Sequence, residues 1–577
     1  MKRNGHGVVS ALLAVAAVLV TSAEAADTPQ NQPTAAQFDD TARVDIVNIW
    51  VRVTDRDGSW VEGLQAKDFE ILVDGEPVPI VNFFATPAGG RSPADRITEP
   101  PSTRVDLGRH LVIFVDNRGG RPLVRDTALR ELAAQLPAYL ANGRRIMLVS
   151  QSGAIRILHG FEDDPHELAG RLDELTRTTV GGSPLAYERA ALLDEMDRTT
   201  LSYGVDFVSE MAVRALETQA QALLQRIRTY AENVLNDQRD RLAMLARFQA
   251  SLAGLPGDKS MLYIGEGFDT RPGEALFRIW EQKYPDLAED MSFSAQLESG
   301  RYRIEEELTD LATQANASGV SCYTLYTAGG ARFSPIAAES SGAAGPGRSV
   351  ALSARHGIED SLTYLASATG GLALSPGGDP GETIARLPDQ LVRNYSLGFR
   401  PPANGDPAAH RVEVTVQREG LRVRHRESYR FKTIDELMSE LTYAALLFKP
   451  GPNPLEATLA VAGVEGTEQD LFEVAVEMII PMAKLALVPS KGSHVGQVKV
   501  FFAVKDNRGW ASPVRVQSFP IVVPNTSLAT ALGQTGTFVW KMMARDGPHE
   551  LAVTVRDGLA AVVSTVTLEF EVPTSEE

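Results

Sequence analysis

Hydrophobic and polar positions change period several times along the chain, and each change marks an element. From Val44 to Thr54 the two faces alternate residue by residue, the pattern of a strand with one face more apolar than the other. Asp55-Arg56-Asp57-Gly58 reads as a turn, because Asp and Gly tolerate positive φ. Further strands follow at 69–73 and 78–84, joined through Asp74-Gly75. Leu111-Val112-Ile113-Phe114-Val115-Asp116 is different: a continuous apolar run closed by an acid, as expected of a strand buried on both faces of a parallel sheet. Strands and helices then alternate. Helix 123–140 carries Leu129, Leu132, Leu136 and Leu140 on one face. A strand at 145–150 turns into a hairpin partner at 154–158, and helix 165–176 follows. The pattern resumes with strand 260–265, helix 302–317, strand 320–326, helix 358–368, strand 371–375 and helix 380–393. One hairpin and otherwise crossovers predict an α/β fold, a doubly wound, mostly parallel six-stranded sheet.

The interval 185–253 is too long for a simple crossover, which needs a dozen or more residues. Val213, Leu216, Ala220, Leu223, Ile227, Tyr230 and Val234 recur at gaps of three and four, a heptad seam. The seam either packs on its own domain or projects as an arm. The sharper expectation is that residues 205–252 are the principal partner-facing element, with Leu216, Leu223 and Ile227 as partner-binding candidates. After residue 393 the chain returns to strands, at 394–400, 411–417 and 421–430. A last region opens with a short helix and continues as alternating strands separated by turns such as Asp546-Gly547 and Asp557-Gly558, the pattern of an immunoglobulin-like sandwich. The β units at 44–86 and 394–433 each have too few strands to bury two faces. They are expected to pair, with the α/β domain at 104–393 inserted between them and a β domain at 434–577 after them.

Three features of composition narrow the function. Lys2 and Arg3 precede an apolar run from Val8 to Val20 and the small–x–small sequence Ala23-Glu24-Ala25. Residues 1–25 therefore read as a signal peptide cleaved after Ala25, and 26–43 as a linker; a periplasmic or secreted protein is expected, with no transmembrane span after cleavage. The net charge of −18 over 577 residues argues against a nucleic-acid groove, which needs clustered Lys and Arg. Cys322 is the single cysteine and lies in a strand-like run, so it reads as a buried small hydrophobe.

The motifs Val53-Thr54-Asp55-Arg56-Asp57-Gly58, Leu64-Gln65-Ala66-Lys67-Asp68-Phe69-Glu70, Leu255-Pro256-Gly257-Asp258-Lys259-Ser260, Gly265-Glu266-Gly267-Phe268, Ala368-Thr369-Gly370-Gly371 and Tyr395-Ser396-Leu397-Gly398-Phe399 occur in order. Over residues 40–433 the chain resembles a von Willebrand factor A-related family of exported bacterial proteins. The resemblance implies the same six-stranded sheet, which the strand pattern on either side is expected to flank with β-sandwich domains. It also implies a site for a divalent cation such as magnesium, held by Asp-x-Ser-x-Ser after the first strand, a Thr or Ser in a later loop and an acid after the fourth strand. Here the first motif reads Asp116-Asn117-Arg118-Gly119-Gly120. Both hydroxyl positions are lost. Asp116, Ser183 and Glu266 are the residual metal candidates of a degenerate site, expected to hold no cation, with the Arg118 guanidinium standing in its place and pairing with Asp116 or Glu266. Arg118 is also a partner-binding candidate.

No Gly-x-Ser-x-Gly elbow and no His-Glu-x-x-His occurs among the nine scattered histidines. No catalytic residue and no cofactor is expected. The reading is an exported, non-catalytic binding or scaffold protein with a protein partner in the envelope or outside the cell. A structural module of an envelope assembly and a hydrolase whose site no motif reveals are the alternatives.

Overall fold

The computed structural model describes residues 46–85, 108–179, 184–198, 210–327, 347–374, 380–392, 394–401, 406, 408–448, 451–466 and 471–573. The proposed signal peptide, the linker and Ser183 lie outside them.

Four strands come first: β1 (Val47–Thr54), β2 (Phe69–Val73), β3 (Glu76–Val78) and β4 (Ile80–Ala85). The α/β domain supplies β5 (Arg109–Asp116), β6 (Arg144–Gln151), β7 (Ile155–Glu162), β8 (Asp258–Gly265), β9 (Val320–Tyr326) and β10 (Ala373–Leu374). Its helices are α1 (Pro122–Tyr139), α2 (Pro165–Arg177), α3 (Pro184–Arg198), α4 (Glu210–Ser251), α5 (Glu274–Lys283), α6 (Pro285–Asp290), α7 (Ala295–Ser299), α8 (Glu305–Ser318), α9 (Gly347–Ala368) and α10 (Pro380–Val392). The strands lie in the order β10-β9-β8-β5-β6-β7. All pairs are parallel except β6–β7, the hairpin. The order reverses at β5, which has β6 on one side and β8 on the other. In an open doubly wound sheet, the crevice outside the carboxyl ends of such strands is where a site forms.

Two cores cover the two faces of this sheet. Leu111, Ile113 and Val115 point with α1, α2 and α10 into one. Val112 and Phe114 point into the other, where α4 lies. The helical interval divides into α3 and the 42-residue α4. Of the two fates open to the seam, packing on its own domain is the one observed, and the sharper expectation of a partner-facing arm is not met: Ala220, Leu223, Ile227, Tyr230 and Val234 are buried, and Leu216 packs against the same core. The physical reason is that burial on α4 is wider than a heptad stripe. Leu224, Ala231 and Leu235, each next to a seam residue, are buried too, because the helix is packed both against the sheet and under α3 and α5. Leu192 and Met196 of α3 and Phe277 and Trp280 of α5 close over it. The Trp280 Nε1–H donates to the Ala220 carbonyl at 2.8 Å. Helix α5 has no counterpart in the sequence-based reading, and it is one of the elements that occupy the seam.

The chain then forms β11 (Tyr395–Phe399), β12 (Ala409–Val416), β13 (Arg422–His425) and β14 (Ser428–Arg430). These interleave with the first four strands into two sheets, β13-β1-β11-β4 and β14-β12-β2-β3. Ile49, Val51, Val53, Tyr395, Leu397 and Phe399 of one sheet face Phe69, Ile71, Val73, Val412 and Val414 of the other in a single core. The α/β domain is thus an insertion into a β-sandwich, entered from β4 and left into β11, and those two strands are hydrogen-bonded neighbours.

Helix α11 (Ile434–Leu447) follows, with Thr433 and Glu436 forming a capping box. It is wedged so tightly against the end of α4 that a Cβ at Gly254 would lie 2.1 Å from the Glu440 carbonyl oxygen. The remaining strands form a second sandwich. Val474, Val476, Met478, Phe538, Trp540 and Met542 from one sheet pack on Val498, Val500, Leu551, Val553 and Val555 from the other. Among the described residues no helix is long and apolar enough to cross a membrane.

The filled seam has a measurable consequence. Ile227→Ala is expected to cost about 2–5 kcal/mol of unfolding free energy, the range for emptying a packed core site. Replacing residues 205–250 by a short linker should prevent cooperative folding of the α/β domain. Chemical denaturation checks both, and a deletion that leaves the transition intact would count for a projecting arm.

Candidate functional site

Asp116 ends β5 at the switch point, and its carboxylate is buried. A buried charge is stable only where a partner neutralises it and donors satisfy its oxygens. Here the partner comes from α4: Arg241 Nη2 lies 2.5 Å from Asp116 Oδ2. The Tyr263 hydroxyl, on neighbouring β8, donates to the same oxygen at 2.8 Å. Asp116 Oδ1 accepts the Arg118 backbone N–H at 3.0 Å. Arg241 also donates to the Gly267 carbonyl at 3.3 Å, and its Cζ lies 4.9 Å from the centroid of the Phe268 ring, within cation–π range. Burial acts to lower the Arg241 pKa, but the Asp116 charge outweighs it and holds the guanidinium above its ordinary value. Tyr263 is driven well above the usual phenol range by burial first and by Asp116 second. It therefore stays protonated as a donor.

The rest of the degenerate motif is equally committed. Asn117 donates through Nδ2 to Ser150 Oγ at 3.0 Å and accepts from Arg125 Nη1 at 2.9 Å. Arg125 Nη2 continues to the Thr178 carbonyl at 2.9 Å. Arg118 does not pair with Asp116 or Glu266, as the sequence suggested; its side chain turns to Asp237 on α4. The space that Arg118 was expected to fill belongs to Arg241, 125 residues away in sequence from the acid it neutralises. Glu266 follows β8, and a Cβ at Gly119 would lie 1.5 Å from its Oε2, so the carboxylate is packed flush against the glycine backbone. Burial raises the Glu266 pKa, while Arg241 counteracts it. Gly120 has φ of 96° and no room for a side chain beside Thr327 Oγ1. The hydroxyl ligand missing at this position therefore has no place in the present backbone.

Asp116 and Glu266 thus lie close enough to interact, but the Arg241 charge acts on both and the Asp116 oxygens already accept from Arg241, Tyr263 and the Arg118 backbone. A divalent cation needs six or more free oxygen ligands, or waters in their place. These residues do not fit one. Among the described residues no group of three or more His, Cys, Asp or Glu side chains could hold a metal ion. Cys322 is buried under α4, where Gln249 Nε2 lies 3.5 Å from its Sγ, and burial pushes its thiol up to about 12, so it is not a nucleophile. Leu223 and Ile227 are core residues and are not available to a partner. Among the described residues this edge presents the loop 118–121 and the start of α1, where Leu123 is 61% exposed.

No protein-family model and no curated protein matches the sequence. Among solved structures the chain has distant likenesses. One is an aerotolerance-related membrane protein from Bacteroides fragilis, at 10% identity and a TM-score of 0.23, over 49% of this chain and 98% of that one. Another is BatB from Bacteroides thetaiotaomicron, at 9% identity and 0.22, over 49% and 98%. A third is the three N-terminal domains of the type V pili tip protein Mfa5 from Porphyromonas gingivalis, at 10% identity and 0.23, over 86% and 78%. At such values the class of this protein rests on its own geometry: a six-stranded mixed α/β sheet inserted in one β-sandwich and followed by another.

The buried pair can be tested directly. Arg241→Met removes the cation that pairs with the buried Asp116 and is expected to cost about 3–5 kcal/mol. The double variant with Asp116→Ala should cost clearly less than the sum of the singles, because the two groups share one interaction. Denaturation of the four proteins checks the cycle. Calorimetry of the wild type with magnesium or manganese should show no micromolar binding.

Proposed function

We propose that the chain is an exported, non-catalytic envelope protein whose central domain, of the von Willebrand factor A type, binds a protein partner without a cation. The observation that supports this reading is the Asp116–Arg241 pair. Where a metal-dependent domain needs a cation to neutralise its acid and complete its contact with a partner's carboxylate, this chain carries a permanent positive charge on its own helix. The surface at the switch point is therefore set in advance and owes nothing to divalent cation concentration. The order of strands, the antiparallel third strand and the acid ending the first are in keeping with the family resemblance. The leader sequence supports a periplasmic or extracellular location. Leu123 and the loop before it form the exposed part of this edge, and apolar side chains beside fixed charges suit a modest protein interface.

Crosslinking of the full chain in its native envelope, with the captured partner identified, tests the reading. Leu123→Asp should lower capture by about fivefold or more, a usual loss for an apolar contact within an interface, with no change in thermal stability. Chelation of divalent cations should leave capture unchanged. Loss of capture in chelator would overturn cation-free binding.

A further inference from the structure

The opposite end of the α/β domain holds a feature with no part in that reading. Between the base of the sheet and the outer face of the first sandwich lies a cleft of about 220 Å³. Its floor on the sandwich side is Trp50 and Phe84, whose rings meet edge to face at 5.6 Å and 86°. Small polar groups, Ser321 and Ser396 among them, line the rest, and Arg426 stands at one wall.

Arg426 is the informative residue. Its Nη1 donates to the Asn316 carbonyl at 3.1 Å and its Nη2 to the Asn48 carbonyl at 2.8 Å. Neither acceptor is an acid. A guanidinium has five N–H donors in a rigid fork, so these two bonds fix its plane without using it up; Nε is buried with no partner among the described residues. Burial alone lowers its pKa, to about 10, with no carboxylate raising it again. A second cation approaches the same place. Gly319, with φ of 68°, lines the cleft, and the point a Cβ would occupy there is 3.7 Å from Lys259 Nζ and 3.9 Å from Arg426 Nη1. Lys259 is bonded to the Ala253 and Leu255 carbonyls at 3.1 and 2.8 Å, again neutral acceptors. Burial first, and Lys432 next, pull its pKa to about 7 against the opposing charges of Glu440 and Asp258. Arg426, bonded to two carbonyls beside two aromatic rings and an open volume, is a cation with no acid bonded to it among the described residues.

We propose that this interdomain cleft binds a small organic carboxylate with a flat apolar body, the carboxylate on the Arg426 guanidinium and the body against Trp50 and Phe84. A planar guanidinium suits a carboxylate better than an ammonium would, and an apolar lining with a few placed polar groups is the usual make-up of a small-molecule site. Because the walls belong to two domains, a bound ligand would also fasten the inserted domain to its sandwich.

Phenylacetate, its neutral isostere phenylacetamide and inorganic phosphate are the probes, titrated into the full chain and followed by calorimetry and by ligand-observed NMR. Saturable phenylacetate binding, weaker by about tenfold or more for phenylacetamide and for the Arg426→Gln protein, is the expected result, a factor equal to the loss of one good charged contact. Trp50→Leu keeps the cation and should weaken phenylacetate while leaving any phosphate binding unchanged, so a failure of Arg426→Gln to fold does not remove the test. Absence of saturation at about 10 mM, the weak limit of a useful site, would overturn the proposal. So would phosphate binding as tightly as phenylacetate, or phenylacetate affinity unchanged in both variants.

Discussion

The last carbonyls of a helix have no intrahelical donors, and in this protein several helix ends are buried together. In a doubly wound sheet the helices run back against the strands, so their C-termini gather at the base, beneath the first residues of β5, β6, β8 and β9. Buried there, those carbonyls need donors from outside the helix, and the negative end of each helix dipole favours a cation. Arginines answer. Arg144 reaches the Tyr139 and Leu391 carbonyls, each at 3.1 Å. Arg52 donates to the Asp389 and Gln390 carbonyls at 3.2 and 2.6 Å. Arg424 takes the Gly371 carbonyl at 3.2 Å and Gln390 Oε1 at 2.9 Å, and Arg426 takes that of Asn316. Three of these four residues belong to the sandwich. The outer face of β1 and the chain at and just after β13 therefore supply what the inserted domain lacks, and the two domains complete one another.

That arrangement follows from where the insertion begins and ends. Because β4 and β11 are neighbours, the sheet containing them lies directly under the strands it feeds. The polar face of β1 consequently turns toward the inserted domain: Asn48 and Trp50 line the interdomain cleft and Arg52 is buried. The same constraint distributes charge. At the base the hydrogen bonds of Arg144, Arg424, Arg426 and Lys259 go to neutral acceptors, with the buried Asp258 nearby, whereas at the opposite edge Arg241 pairs with Asp116 and Arg118 with Asp237.

Helix α4 links the two ends. At 1.5 Å per residue, 42 residues run roughly 60 Å, well over twice the length of an eight-residue strand. A helix of this length runs along one face of the sheet beside α8 and α9, holds Arg241 against Asp116, and ends at the base where Lys259 takes the carbonyls that follow it. Its packing under α3 and α5 fixes the arginine's approach, so the charge that neutralises Asp116 is as rigid as the core around it.

The sequence by itself determined the order and kind of the main elements, because period two and period 3.6 report which residues of a segment are buried. The apolar run at 111–115, the hairpin after β6 and the alternation through α10 were legible for that reason, and so was the loss of both hydroxyl positions after Asp116. Periodicity does not report what a buried face is buried against. The seam on α4 was open to two readings, an own-domain contact or an arm for another chain, because its adjacent residues Leu224 and Leu235 have no meaning until α3 and α5 are placed over them. Arg118 looked like the partner of Asp116 because it is near in sequence; Arg241 won because a buried carboxylate is satisfied by whichever cation the packed helix brings within hydrogen-bonding distance. The Arg426 cleft was not legible at all. Its walls come from segments more than 300 residues apart, and only the return of β11 beside β4 brings them to one place.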